Sequence, residues 1–193
     1  MTNISAKLSI LLFLLLPMCA HKQEAKESFV NISSDATLQL KQPKDILPEI
    51  QLVQVLSFKF KDKSNSSQAV LVNKDNKLSI VALMPFGGEV FRVEYYDGII
   101  HSKALPGVES RFDLKYALGD IIMVYANRDA LQSWVSPKVE IIDTKNTRVI
   151  KSNSTEIVRI SYDNADRFAA NVKYEHLQRN YTISIQPVSQ SKP

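Results

Sequence analysis

The chain has 193 residues, enough for one domain with a real core and too few for two comfortable ones. Its 45% hydrophobic and 23% charged residues exclude disorder as the default, and its single cysteine excludes an internal disulfide. The formal charge of +4 is scattered, with no run of five like charges and no aromatic–basic motif, so nucleic acid is not an expected partner.

The first informative stretch is the N-terminus. Residues 1–7 carry one positive charge, residues 10–18 form a compact apolar run, and the only cysteine, Cys19, closes it. That run is far shorter than the roughly 20 apolar residues that span a bilayer, so it reads as a signal-peptide core. Leu16 stands three residues before Cys19, which resembles the bacterial lipobox, where the cysteine is diacylated and becomes the new N-terminus. Met18 departs from the small residue usual at such sites. Ordinary cleavage a few residues away, with Cys19 discarded, is the alternative. Residues 20–48 are rich in Lys, Glu, Gln and Ser with little periodicity, the composition of a tether. The expected division is therefore a signal peptide over 1–18, a lipidated cysteine and flexible tether over 19–47, one folded domain over 48–188 and a short tail over 189–193.

From Ile50 the chain alternates. Ile50, Leu52, Leu56, Phe58 and Phe60 share one parity, and Gln51, Ser57, Lys59 and Lys61 take the other, the period of a half-buried strand. Less regular strands are expected around 68–73 and 78–84. Phe91, Val93 and Tyr95 oppose Arg92 and Glu94, and Asp97-Gly98 supplies a hairpin turn into Ile99-Ile100. Leu114, Ala117, Leu118, Ile121, Ile122 and Tyr125 recur at helical spacing, with Ser110 and Asp113 placed as a capping box. A second helix is expected from Asp129, with Ala130, Leu131, Trp134 and Val135 on its apolar side and Pro137 beyond its end. Strands around 139–142 and 148–151 follow. Then come the apolar rows Val158, Ile160, Tyr162; Val172, Tyr174, His176; and Tyr181, Ile183, Ile185.

The pattern predicts a mainly β, α+β fold: a strongly curved antiparallel sheet with helices over its concave face. Helices so placed either fill that face or roof a cavity, and periodicity does not distinguish the two.

Catalytic constellations are missing. His21, His101 and His176 have no metal-ligand spacing, no nucleophile elbow occurs, and five glycines make no phosphate-cradling loop. Asp163 and Asp166 around Asn164 read as a turn, and His176 as a core or rim histidine. The Asn-x-Ser/Thr triplets at Asn31, Asn65, Asn153 and Asn180 read as products of composition. The sequence is that of a binding protein, with no enzyme activity and no cofactor expected. The segment Met84-Pro85-Phe86-Gly87-Gly88 joins two well-patterned strands and puts a large apolar residue where a polar one is expected. Phe86 either folds back over the barrel mouth or projects as an inserting tip.

Four segments carry a family resemblance: Leu16-Pro17-Met18-Cys19, Ile46-Leu47-Pro48, Leu83-Met84-Pro85-Phe86-Gly87-Gly88, and Asp129-Ala130-Leu131-Gln132-Ser133-Trp134-Val135 with its Leu-x-x-Trp ending. Over most of residues 46–187 the chain resembles the bacterial outer-membrane lipoproteins related to LolB, and looks closest to an uncharacterised sister family of small LolB-like lipoproteins. The resemblance implies an incomplete β-barrel closed by helices around a hydrophobic cavity for acyl chains, with Phe86 matching the exposed leucine that helps transfer cargo into the membrane. Ala20 is not the aspartate that retains lipoproteins in the inner membrane, so an outer-membrane, periplasm-facing location is expected. The expected cavity lining is Leu56, Phe58, Phe60, Phe91, Val93, Tyr95, Leu118, Ile122, Leu131 and Trp134. The expected inserting loop is Met84, Pro85, Phe86 and Gly87, and the expected lipidation site is Cys19. Expected partners are a membrane lipid or lipoprotein acyl chain, the outer membrane and a periplasmic carrier protein. A structural or assembly adaptor with a filled core is the alternative.

Overall fold

The structure, a computed structural model, describes residues 23–25, 29–106, 108 and 113–193. Cys19, Ser110 and the apolar run over 10–18 lie outside the described residues. In chain order the elements are β1 (Gln23–Ala25), β2 (Phe29–Asn31), β3 (Thr37–Gln39), α1 (Pro43–Ile46), β4 (Ile50–Phe60), β5 (Lys63–Lys74), β6 (Lys77–Leu83), β7 (Glu89–Tyr96) and β8 (Ile99–Ala104). They continue with α2 (Leu114–Tyr125), α3 (Arg128–Trp134), β9 (Val139–Asp143), β10 (Thr147–Ser152), β11 (Thr155–Tyr162), β12 (Val172–His176) and β13 (Tyr181–Ser191).

Alternating side chains make the strands, and turn residues fix their register. Asp75-Asn76, Asp97-Gly98 and Asn153-Ser154 each place two successive residues at positive φ. That is the two-residue turn whose twist matches antiparallel neighbours. The resulting eleven-stranded antiparallel sheet runs β1-β8-β7-β6-β5-β4-β13-β12-β11-β10-β9, with β1 and β9 as its edges, so it does not close into a barrel. Two meanders, β4–β8 and β9–β13, are joined where β13 pairs with β4 from Tyr181↔Phe60 to Ser191↔Gln51.

The sheet's curvature follows from what α2 reaches. This twelve-residue helix, ~18 Å long, packs against β7 and β8. It is also hydrogen-bonded by Gln54 of β4, Arg148 of β10, Tyr162 of β11, Tyr174 of β12 and Tyr181 of β13. In a flat sheet, β8 and β10 would stand on the order of 40 Å apart at ~4.8 Å per strand. Only a sheet wrapped around the helix lets one short element touch both.

Asp113 is the N-cap of α2, accepting from Lys115 N at 3.1 Å. It therefore occupies the cap itself and not the third helical position that a box with Ser110 requires. Helix α3 starts at Arg128, capped by Asn127, which accepts from Asp129 N at 2.9 Å. Gly119 marks a close approach: a Cβ there would stand 3.0 Å from Val30 Cγ1, so α2 lies directly on β2.

That contact corrects the expected tether. Residues 29–47 are part of the core: Val30, Ile32, Leu38, Leu40, Ile46 and Leu47 are all buried. The β2–β3 hairpin is tied to the β10–β11 turn through Asp35, which accepts from Ser152 Oγ at 2.9 Å and Asn153 Nδ2 at 2.6 Å. These hydrogen bonds, led by that from Ser33, hold the Asp35 carboxyl below the usual carboxylate range. Helix α1 is held against β5 by Asn73, whose amide donates to the oxygens of Pro43 at 3.1 Å and Leu47 at 2.6 Å. At the other end, β13 runs on to Ser191, taking residues 189–191 into the sheet.

Candidate functional site

Inward-facing rows line the concave face, and α2 covers them unevenly. Between α2 and the strands lies a cavity of about 470 Å³, within the range of small-ligand sites. One wall is flat and apolar: Leu56 and Phe58 of β4 stand directly opposite Ile185 and Ile183 of β13. Phe91 of β7 and Ile80 of β6 make the facing wall, and α2 contributes Ala117, Ile121 and Val124. The rim has two unlike lips. Asn65, Ser66 and Ser67 of β5 form the polar one, and Met84 with Pro85 the apolar one.

Of the expected lining residues, Leu56, Phe58 and Phe91 wall the cavity. Phe60 continues their parity but sits at the hairpin tip, 40% exposed. Val93 and Tyr95 continue the row of Phe91 into the packed core, away from the cavity. Leu118 and Ile122 are one helical position round from Ala117 and Ile121, and they too are buried in the core. Leu131 and Trp134 belong to α3, which packs on β9 at the far edge of the sheet. The cavity face of α2 is the row Ala117, Asp120, Ile121, Val124.

Asp120 is the functional candidate that periodicity passed over. It borders the cavity together with Tyr174, yet only 2% of it is exposed. Its Oδ1 accepts from Tyr174 Oη and its Oδ2 from Tyr181 Oη, both at 2.6 Å. Burial pushes its pKa up to about 6, against the opposing pull of the two phenols and of Arg179. Burial, and then the charge of Asp120, pushes the Tyr174 phenol well above its ordinary range. The one available signal was an acid placed on an otherwise apolar helical row, three residues after Ala117.

His176 lies behind these tyrosines. Its Nε2 donates to Ile32 O at 2.8 Å and its Nδ1 accepts from Arg179 N at 3.3 Å. Burial pulls its pKa down to about 4, so it serves as a neutral core histidine. Arg179 lays its guanidinium 3.7 Å from the centre of the Tyr116 ring and donates to Asn31 O at 2.8 Å.

At the mouth, Gly87 N donates to Met84 O and Met84 N donates to Gly88 O, each at 3.0 Å. Positive φ at both glycines closes the turn and leaves Phe86 fully exposed. Strand register brings other exposed apolar groups to the same end of the sheet: Phe60, Met84, Leu105 and Leu177. Lys59, Lys61 and Lys63 stand on the adjacent hairpin, with Lys61 Nζ 5.3 Å from the centre of the Phe60 ring. Among the described residues, no three His, Cys, Asp or Glu side chains gather where they could hold a metal ion. Nor is any helix among them long and apolar enough to cross a membrane.

Residues 51–189 match the family described as "Protein of unknown function (DUF3261)". A crystal structure of a DUF1329 family protein from Desulfovibrio piger is similar over 78% of this chain and 88% of that one, at 10% identity and a TM-score of 0.30. No curated protein matches the sequence.

Proposed function

We propose that this chain, which belongs to the DUF3261 family, is a lipid-anchored carrier of the bacterial outer membrane that binds an acyl chain, as free lipid or on a lipoprotein, and helps its transfer in the cell envelope. The observation that carries the reading is the juxtaposition of a 470 Å³ apolar cavity with a fully exposed Phe86 on the loop that forms its lip. Large apolar groups gathered at one exposed end mark an interaction surface. A bilayer is the surface on which the cargo of such a cavity would travel.

Anchoring is supported by the lipobox-like residues 16–19, and the outer-membrane address by Ala20 after the cysteine. More than one acyl chain at Cys19 makes attachment stable, because a single chain holds a protein only marginally. The resemblance to LolB-related lipoproteins belongs to the same reading: Phe86 serves as the inserting residue and a periplasmic carrier delivers the cargo. No catalytic role is assigned to any residue.

The test is native mass spectrometry of the Cys19→Ser chain isolated from its own host. A co-purifying lipid or acyl-peptide mass is the expected result. A ligand-free mass that persists after candidate lipids are added would overturn the carrier reading in favour of an adaptor. In a vesicle-delivery assay, Phe86→Glu should keep the fold and the bound ligand but lose transfer, because a charge at the tip opposes entry into the apolar layer.

A further inference from the structure

We infer that the strand edge beside the cavity mouth takes an extended peptide, so that the occupant is an acyl chain carried on a polypeptide rather than a free lipid. This rests on the acyl-chain reading above and names what the chain is attached to.

The edge follows from register. Lys74 and Lys77 flank the Asp75-Asn76 turn, both of whose residues have positive φ. A two-residue turn of that kind closes on a hydrogen bond between its flanking residues. Main-chain groups along a strand then aim alternately at its two neighbours. The even-numbered residues of β5, from Lys74 back to Gln68, therefore bond towards β6 and the odd-numbered ones towards β4. The far end agrees: Lys63, an odd-numbered residue, faces Phe60 across the Lys61-Asp62 turn.

Strand β6 stops short of that end. Its pairing with β5 ends at Gln68↔Leu83, whereas β4 pairs with β5 as far as Lys63. The residue due opposite Ser66 is Pro85, which has no N–H to give. There the chain turns away, spending the N–H of Met84 on Gly88 and its oxygen on Gly87. Ser64 and Ser66 thus each direct an N–H and a C=O to a side where no strand among the described residues lies. Both residues are exposed. Ser66 Oγ stands 3.1 Å from Ser57 Oγ, on the parity opposite Leu56 and Phe58, so what Ser66 turns to the cavity is main chain.

These groups alternate donor and acceptor along the polar lip. An acyl chain held between the apolar rows leaves through the mouth, between this lip and that of Met84 and Pro85. A carboxylate or phosphate head brings acceptors alone and leaves both carbonyls unmatched. An extended peptide brings N–H and C=O at the strand's own spacing, adding a short strand where β6 departs. A second copy of this chain would meet the edge without filling the cavity. An acylated peptide engages both.

The experiment uses the full chain carrying Cys19→Ser and the ligand N-dodecanoyl-Ser-Ala-Ser-Ala-amide, with dodecanoate as the peptide-free control. Two further ligands carry N-methyl groups on the Ser amides or on the Ala amides, because only alternate amides of a paired strand face its neighbour. Dissociation constants are measured calorimetrically. One methylated frame should bind roughly tenfold more weakly than the parent peptide, and the other about as well. Ser64→Pro, a substitution of the kind an edge strand accepts, should shrink the difference between the frames severalfold.

Binding of dodecanoate with no difference among the three peptides, or with no peptide bound, would overturn the edge assignment and leave the acyl-chain reading standing. Equal loss in both frames would mean a contact other than strand pairing, with the same consequence. A ligand-free dimer that Ser64→Pro returns to monomer would give the edge to a second copy and overturn the assignment. Failure of the peptides and dodecanoate alike would overturn the acyl-chain reading, and this inference with it.

Discussion

The guanidinium of Arg148 donates to the main-chain oxygen of Met123 at 2.7 Å, tying the last turn of α2 to strand β10 from a fully buried position. The same side chain holds Asp143 through Nε at 2.8 Å and Nη2 at 3.0 Å. The cation thus meets both a carboxylate and a helix C-terminus, where the end of the helix dipole favours positive charge. Tyr162 Oη satisfies the neighbouring oxygen of Val124 at 2.7 Å. Burial pushes the Tyr162 phenol up to about 12, against the opposing pull of the Arg148 and Arg167 charges.

Arg148→Ala should therefore destabilise the fold by roughly 3–5 kcal/mol, because it leaves the helix-end oxygen of Met123 unpaired and takes from the partly buried Asp143 the more deeply buried of its two arginines. Arg167→Ala removes the other partner of Asp143, a more exposed group, and should cost only about 1 kcal/mol. Urea denaturation of the two variants checks the contrast. Equal losses would mean that the helix contact of Arg148 contributes nothing.

Truncation tests the N-terminal boundary. A chain beginning at residue 23 should fold, and one beginning at Pro48 should not. The second loses Val30, Ile32, Leu38, Leu40, Ile46 and Leu47, each contributing about 1.5–3 kcal/mol of burial, against a total stability of about 5–15 kcal/mol. Circular dichroism melting decides, and a cooperative transition in the shorter chain would restore the tether reading.

Filling the cavity separates binding from folding. Ala117 faces the cavity from α2, so Ala117→Phe places a ring in open space. Dodecanoate binding should weaken more than tenfold, while stability holds or rises by about 0.5–2 kcal/mol. Lost stability with intact binding would show that the ring had turned into the core.

Two buried groups give opposite pH slopes. The folded state raises Asp120 from 3.8 to about 6, so it binds more protons than the unfolded chain between those values. Its contribution is complete below pH 3.8 and is lost as pH rises toward 6. The fold lowers His176 from 6.5 to about 4, so there the unfolded chain binds more protons. That contribution is complete above pH 6.5 and is lost as pH falls toward 4. Each is on the order of 3 kcal/mol at full extent, and over the shared window they largely offset one another. The stability gap between the parent chain and Asp120→Asn should fall from pH 4 to 6. The gap to His176→Gln should rise over the same interval. Urea melts at several pH values measure both, and parallel slopes would contradict the assignment.

The strand rows were legible because each alternates over five or more residues with a turn residue at its end, as in Phe91, Val93 and Tyr95 before Asp97-Gly98. Phe86 stood out as a large apolar residue between Pro85 and Gly87-Gly88, but whether it packed back or projected was open until the structure placed it in solvent. The β2–β3 hairpin was not legible: its strands are three residues long, and Val30 is buried by α2, far away in sequence. The helix was visible, but both Leu118–Ile122 and Ala117–Ile121 read as its apolar face. Only the wrapping of the sheet decides which face meets the cavity. Asp120 could not be assigned from periodicity, because its meaning depends on Tyr174 and Tyr181, 54 and 61 residues further on.

The pairing of β13 with β4 has a consequence in time. The side chains of Arg148, Tyr162, Tyr174 and Tyr181 that fix α2 all follow it in the chain, and the two meanders meet only through the last strand. Each meander can zip up by short hairpins, whereas their union closes a loop of more than a hundred residues, from Phe60 to Tyr181. Such long-range pairing is the slow step of a β-rich fold. During vectorial emergence the helix has Gln54 and the strands before it but lacks these later partners, and the wall formed by Ile183 and Ile185 is missing. The ligand chamber therefore comes into being in the final event of folding, and a chain stopped short of its C-terminal strand has no chamber at all.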